Sequence, residues 1–350
     1  MTPCLVCDSP CVFFRSVDEL IFFLCTGCGL IQLDSGTIER IDAGELIFKY
    51  EKEYWGREMI AARERAFGVA LARAAEVFFC SRRPIDRFLD IGSGPGLFLD
   101  AVSVYLPYIS NRFYAIERFS PPGHTQHSNY RVGRVTDYPS DWFDGGMCIE
   151  VFEHLTPRMV DSLLREIAIV SRSEACFLIN TGLATYTRDE CPEYLDPLRR
   201  GHIMSWTVAA VDRLARPHGL IASTIPGRNW CFLLEKADTP RPSISDRLAQ
   251  PLRENMVALN QPEMGASPIV LLAEIALRET YYYDQFLSRT NWAIELNDEV
   301  THMRQVAKTA NDEVVALRTE LAAIRKSRSW RFTAGARKLF RVARSVWHRS

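Results

Sequence analysis

The sequence predicts an α/β fold, a doubly wound and mostly parallel sheet, with a small metal-binding module before it and a helical extension after it. Three observations predict this. From residue 46 to residue 236, short apolar runs of strand character alternate with helical periodicity. The run Phe88-Leu89-Asp90-Ile91 leads directly into Gly92-Ser93-Gly94-Pro95-Gly96, and a helical pattern begins near Leu97. Five of the ten cysteines lie before residue 29, four of them in two Cys-x-x-Cys pairs.

A chain of 350 residues is long enough for two folded units and an extension, and its 47% hydrophobic content supports a sizeable core. A net charge of -1 gives no global attraction to nucleic acid or acidic membranes. No stretch is apolar enough over about 20 residues to span a bilayer. The opening MTPCLVCDSP lacks a basic segment followed by an apolar run, so no signal peptide and a cytoplasmic location are expected. In that reducing compartment the cysteines are thiols or metal ligands.

The first segment, 1–45, carries the runs Val12-Phe13-Phe14 and Ile21-Phe22-Phe23-Leu24, which suit small strands bearing metal-binding turns. Cys4 and Cys7, and Cys25 and Cys28, each place two thiolates on one tight turn. Together they supply the four sulfurs of a closed tetrahedral Zn2+ site, whose role is structural because it keeps no open position. The alternative is a group of buried or redox-active thiols, with Cys11 a bystander. Only Arg15 is basic before Arg40, which argues against a nucleic-acid-binding ribbon.

In the second segment, 46–236, the candidate strands are Arg87–Ile91, Arg112–Ile116, Gly146–Ile149, Ala175–Ile179, Leu220–Ser223 and Trp230–Leu234. Glycines at 92, 94 and 96 let the backbone turn sharply and approach a ligand closely. Asp90, just before the turn, would repel a pyrophosphate and suits a ligand with amine and hydroxyl donors. The next strand ends at Glu117, about 20 residues after the loop, the spacing of an acid that accepts both ribose hydroxyls. Its alternative is a solvated strand end.

These motifs resemble those of class I S-adenosylmethionine-dependent methyltransferases. LDIGSGPG looks like their first motif and AIE like their second, while Phe143-Asp144 through Glu150-Val151-Phe152-Glu153-His154-Leu155 is similar to their "FD…EVLEHL" segment. The resemblance covers roughly residues 85–156. It implies a Rossmann-like, seven-stranded sheet with S-adenosylmethionine as cofactor. Gly92, Gly94 and Gly96 would line its methionine part, Asp90 would lie near its amine, Glu117 would hold its ribose, Asp137 would sit near its adenine, and Glu150 would lie at the mouth. Glu153 and His154 are read as helix-start residues rather than catalytic ones. Cys25-Thr26-Gly27-Cys28-Gly29-Leu30-Ile31-Gln32-Leu33, with Tyr50 and Tyr54-Trp55, also resembles zinc-bearing methyltransferases, including sugar C-methyltransferases.

After Asn180-Thr181-Gly182 come Glu193-Tyr194 and Gly201-His202-Ile203-Met204-Ser205-Trp206-Thr207, the latter similar to the "GH…(F/W)(S/T)" segment of small-molecule methyltransferases. Trp206-Thr207 would cap a helix over Val208–Ala215. His202 is the best candidate for a general base, or it only orients the loop. Tyr194 binds or deprotonates substrate, or packs beside the cofactor. Methyl transfer asks little beyond alignment of nucleophile, methyl and sulfur, so a weak base, or none, is enough.

Residues 237–268 read as a linker, from Asp238-Thr239-Pro240-Arg241-Pro242-Ser243. From 269 to 325, Phe286, Ala293, Val300, Ala307, Val314 and Leu321 recur every seven residues. A second seam runs through Leu296, Met303, Ala310, Leu317 and Ile324. This favours a coiled coil and a homo-oligomer over a lone amphipathic helix. The tail, 326–350, is basic, interleaved with Trp330, Phe332, Phe340 and Trp347, and free of acidic residues. It suits an anionic membrane surface better than a solvated helix or a nucleic-acid patch. Ser327-Arg328-Ser329-Trp330-Arg331-Phe332-Thr333 resembles the tails of bacterial surface-polysaccharide glycosyltransferases and methyltransferases.

The expected function is methylation of a sugar or glycan, on oxygen, at the inner face of the cell membrane. The competing readings are C-methylation of a nucleotide sugar, RNA methylation, and a non-catalytic scaffold built on the coiled coil.

Overall fold

The structure is a computed structural model that describes residues 2–45, 52–119, 123–237, 243–260, 268–335 and 337–338. Tyr50 and residues 339–350 therefore lie outside the described residues, and with them most of the basic tail. The chain divides into two compact units, 1–284 and 285–350.

In the first unit, β1 (Cys11–Val17), β2 (Leu20–Cys25) and β3 (Ile31–Leu33) form an antiparallel meander, followed by α1 (Ser35–Asp42). Helices α2 (Lys52–Ala66) and α3 (Val69–Cys80) lead into β4 (Phe88–Ile91), α4 (Leu97–Tyr105), β5 (Phe113–Glu117) and β6 (Tyr130–Val132). Then come β7 (Phe143–Ile149), α5 (Pro157–Val170), β8 (Ser171–Asn180), α6 (Ala184–Asp189), β9 (Met204–Ser205), α7 (Val208–Ala215), β10 (Leu220–Thr224) and β11 (Cys231–Lys236). The main sheet has seven strands in the order β10-β11-β8-β7-β4-β5-β6. Only β11 runs against the others. This is the doubly wound, Rossmann-like sheet. Its strand order reverses between β4 and β7, which opens a crevice at the carboxyl ends of those strands.

Successive side chains on a strand point to opposite faces, and this builds two cores. Phe88, Phe113, Met147, Leu178 and Leu233 pack with α3 and α4 on one face. Leu89, Ile116, Cys148, Phe177 and Phe232 pack with α5 and α7 on the other. Strand β7 fits between its neighbours because a Cβ at Gly146 would lie 2.2 Å from the Leu89 carbonyl and 2.7 Å from the Phe177 ring.

The strands read from sequence are present with shifted ends. β7 begins three residues earlier than expected, and β8 runs from Ser171 instead of Ala175. Short β6 gave no sequence signal. Helix α7 starts where expected, with the Thr207 hydroxyl accepting the Ala210 N–H.

The four-cysteine module is joined to this sheet's surroundings. β3 pairs with β9, giving a second sheet of order β1-β2-β3-β9. The Thr207 hydroxyl donates to the Cys28 carbonyl at 2.7 Å. Phe22, Leu30 and Leu33 share a core with Phe152 and Trp206.

Within 237–268, read as a linker, the described residues form two packed helices, α8 (Ile244–Ala249) and α9 (Arg253–Leu259). Asn255 is buried and bonds the Ile85 N–H and the Phe78 carbonyl, while Arg247 pairs with buried Glu235 at 2.8 Å. These two polar anchors dock α8 and α9 on the main domain, while residues 238–242, which gave the linker reading, lie outside the described residues.

The second unit is helical. Helix α10 (Pro268–Lys326) runs into it and is followed by α11 (Arg328–Phe332). The seam residues Phe286, Leu296, Met303, Leu317 and Ile324 are 43–63% exposed. Among the described residues no helix is long and apolar enough to cross a membrane.

Candidate active site

Backbone conformation builds the floor of the crevice. Gly92, at φ 70°, follows β4, and a Cβ there would lie 2.4 Å from the Val151 side chain. Only glycine meets both demands cheaply. Gly94, at φ 54°, has nothing within 4 Å of where its Cβ would be. That bare backbone edge faces an open cavity of about 1260 Å³ lined by Asp90, Gly92, Ser93, Gly94, Glu117, Glu150, His154 and His202, among others.

Glu117 ends β5 and reaches back over the loop. Its Oε2 accepts the Gly94 N–H at 2.8 Å and its Oε1 accepts the Phe119 N–H at 2.8 Å. Burial raises its pKa, and these donors oppose the rise. Asp90 is 5% exposed beside it, and burial followed by the Glu117 charge pushes its pKa up to about 8. Two crowded carboxylates in a half-dry hollow call for a cationic occupant. The Ser93 hydroxyl is buried without a protein partner and lines the same hollow. These residues fit the amino-acid and ribose ends of S-adenosylmethionine: a glycine edge for close approach, carboxylates for its positive charges and hydroxyls, and an unpaired hydroxyl for its polar groups.

Glu150 lies across the cavity in the left-handed region, at φ 54°, and its Oε1 accepts Asn180 Nδ2–H at 2.9 Å. A non-glycine residue in that conformation costs about 1–3 kcal/mol and is held by its surroundings. Burial, then neighbouring Glu153, raises its pKa to about 8.

Three expected residues are placed elsewhere. Gly96 does not line the cavity. It caps α4 at φ 72°, and a Cβ there would meet Tyr130 and Thr125 at 2.5 and 2.6 Å. Asp137 does not line it either, because its Oδ2 accepts the Arg134 N–H at 2.8 Å and closes a single helical turn. Arg134 and Val135 of that turn line the cavity instead. Tyr194 is buried, and its hydroxyl accepts the Gly182 N–H at 2.8 Å, so the ring packs beneath the wall. Its carbonyl accepts from His202 Nδ1 at 2.8 Å.

His202 does line the cavity. Burial, then His154, lowers its pKa to about 3, which leaves a neutral imidazole with little proton affinity. That is far from the match to working pH that a general base needs. Six arginines, Arg65, Arg118, Arg134, Arg158, Arg199 and Arg200, also line the cavity. Sequence motifs give no sign of them, since they come from five separate segments.

In the cysteine module, Cys4 Sγ lies 3.7 Å from Cys28 Sγ, and Cys7 Sγ lies 3.4 Å from Cys25 Sγ. All four sulfurs fall within 4.8 Å of one another. A tetrahedral ion with 2.3 Å bonds separates its sulfurs by about 3.8 Å. Backbone N–H groups of Val6, Gly27 and Cys28 point at Cys4 or Cys25 sulfur at 3.3–3.5 Å, as suits thiolates. Cys11 is buried outside the group and donates to the Ser9 carbonyl.

The fold and this crevice define a Rossmann-like domain with a ligand hollow at its strand-order reversal. No protein-family profile and no curated protein matches the chain. Solved structures similar to it include the N,N-8-amino-8-demethyl-D-riboflavin dimethyltransferase RosA from Streptomyces davawensis. That match has 21% identity, covers 57% of this chain and 61% of that one, and has a TM-score of 0.39. The 1,6-didemethyltoxoflavin-N1-methyltransferase of Burkholderia thailandensis matches at 15% identity over 64% of this chain and 96% of that one, with a TM-score of 0.36. The mitomycin 7-O-methyltransferase MmcR matches at 19% identity, with a TM-score of 0.35. There the match spans 48% of this chain and about half of that one, 53%.

Proposed function

We propose that the chain is a methyltransferase that moves a methyl group from S-adenosylmethionine to a hydroxyl of a sugar or glycan. The observation that carries the cofactor is the meeting of Glu117, Asp90 and the bare Gly92–Gly94 edge in one hollow. In this reading Glu117 accepts the ribose hydroxyls while keeping the Gly94 N–H in place. Asp90 faces the positive end of the amino acid. Gly96 and Asp137 act on backbone shape, one at the helix start and one at a turn.

Transfer then rests on alignment rather than on a strong base. His202 is neutral and weakly basic, and Tyr194 sets its ring from below. Arg134 is paired with Glu166, and Arg199 and Arg200 with Asp196, while Arg118 and Arg158 on the cavity lining favour an acceptor that carries phosphate, such as a nucleotide-linked sugar, because guanidinium groups bind phosphate in a two-pronged geometry.

The four cysteines hold a structural Zn2+ in the same proposal, and their sulfur spacing supports it. A second copy of the chain covers the exposed seam of α10, since a single exposed helix of that length gains little stability without a partner. The basic tail makes peripheral contact with an anionic membrane, a reading supported by its composition alone.

The test is calorimetric titration of S-adenosylmethionine into the full chain and into Glu117→Ala. Losing a charge-assisted pair of hydrogen bonds costs about 1.5–3 kcal/mol, a loss of affinity of about 10-fold or more. Unchanged affinity would remove Glu117 from the site. No binding by the unmodified chain would overturn the methyltransferase reading.

A further inference from the structure

A second cluster of ligand-type side chains lies on the cavity wall, away from the cysteines. Glu153, His154 and His202 each offer one ligand atom, and these atoms lie within 4.8 Å of one another. Glu153 is fully buried. Its Oε2 accepts the Thr181 hydroxyl at 2.8 Å, and its Oε1 has no protein partner. An unpaired carboxylate oxygen in a dry position is costly, and either a cation or the proton held on neighbouring Glu150 satisfies it.

The imidazoles are arranged to meet that need. His202 Nδ1 is held by the Tyr194 carbonyl at 2.8 Å, and His154 Nδ1 by the Gly201 carbonyl at 3.0 Å. A histidine whose Nδ1–H donates to a backbone carbonyl is fixed in the tautomer whose Nε2 carries the lone pair, the usual support behind a metal-binding ring. The two chain segments are tied to each other as well. The Ile203 N–H donates to the Glu153 carbonyl at 2.9 Å, and Trp206 Nε1–H donates to the Phe152 carbonyl at 2.7 Å. The donors are therefore preorganised by tertiary contacts.

We infer that Glu153, His154 and His202 form a binding site for a divalent transition-metal cation. Two imidazoles and one carboxylate suit Mn2+, Fe2+, Co2+ or Zn2+ and leave coordination positions open. His154 and His202 line the cavity, so those positions face the acceptor side. If the proposed methyl transfer holds, the cation gives the acceptor a fixed oxygen-binding point. This site differs from the all-sulfur one, which has no open position.

The experiment uses the full chain with its cysteine site kept loaded with zinc and the weaker site cleared by mild chelation. MnCl2 is titrated calorimetrically into the unmodified protein, Glu153→Gln and His202→Ala. CoCl2 is added to the unmodified protein for its visible spectrum. One equivalent of Mn2+ binding is expected, weakened about 10-fold or more in both variants. Co2+ should show weak d–d bands without intense thiolate charge-transfer bands. Glu153→Gln retains an oxygen for the Thr181 hydroxyl, and the Co2+ spectrum requires no variant. No Mn2+ binding to the unmodified chain, equal affinity in folded variants, or a thiolate-type Co2+ spectrum overturns the inference. S-adenosylmethionine titrated into the same samples reads the methyltransferase proposal separately. Cofactor binding without Mn2+ binding sinks only the metal site.

Discussion

Replacing Asp90 by asparagine should trade cofactor affinity for stability, and only at the alkaline side. Asp90 is 5% exposed, and its pKa stands at about 8 against an ordinary 3.8. A carboxyl whose native pKa is raised adds no penalty at low pH, where both states are protonated. As pH climbs from about 4 to about 8, the unfolded chain ionises and the native one resists, so stability falls across that window. At about 1.36 kcal/mol per pKa unit, the full rise corresponds to about 6 kcal/mol. Water in the open cavity screens part of this, and about 2–3 kcal/mol is the expected difference. Urea unfolding followed by circular dichroism, with zinc present, gives the profile for both proteins. Near pH 5 the two should agree within about 1 kcal/mol, and near pH 8 Asp90→Asn should be more stable by about 2–3 kcal/mol. Saturating S-adenosylmethionine should reverse the order, because its positive charge stabilises ionised Asp90 and gives the neutral amide much less. A difference between the proteins that stays constant from about pH 5 to about pH 8 would refute the reasoning.

Two further outcomes are expected from the other segments. Freshly purified protein should contain one tightly held Zn2+ that disappears in Cys4→Ser/Cys25→Ser. Its removal by a strong chelator should lower the melting temperature and raise amide exchange at Met204 and Ser205, which pair with β3; a protein free of zinc with an unchanged melting temperature would refute this. Sedimentation of the full chain should show a dimer or higher species, with Leu317→Lys shifting it toward the monomer by placing a charge in the seam. Identical sedimentation of the two proteins would leave the exposed face without the proposed partner.

What could be read in the sequence was whatever lies close together along the chain. The Gly92–Gly96 loop, Glu117 one strand later, and the paired cysteines are each set by local spacing, and local spacing survives folding. Thr207 is legible for the same reason, since a cap and its helix are neighbours. The misplacements also have a common cause. Gly96 and Asp137 are expected at the cofactor from the family resemblance, and Tyr194 at the substrate from its place after the fifth strand. In each, a competing local demand took the side chain or the backbone: a helix start, a turn closure, a buried hydroxyl. The docking of 243–260 could not be read, because Asn255 finds its partners at Phe78, Arg83 and Ile85 only after α3 is in place.

The cysteine module and the cavity wall are mechanically one piece, and this gives the first 45 residues a reason to exist. β3 pairs with β9, which directly follows His202 and Ile203, and the Thr207 hydroxyl is bound to the carbonyl of Cys28. Met204 and Ser205 are fully buried between these attachments. The segment that carries His202 is therefore fixed at one end by the Glu153 carbonyl and at the other by the module. A two-residue strand has too few ladder bonds to hold such a position on its own. A rigid four-sulfur site on the partner strands would supply the missing stiffness without taking part in chemistry. The closed set of thiolates and the open set of histidines would then divide the work, one setting the wall and the other facing the acceptor.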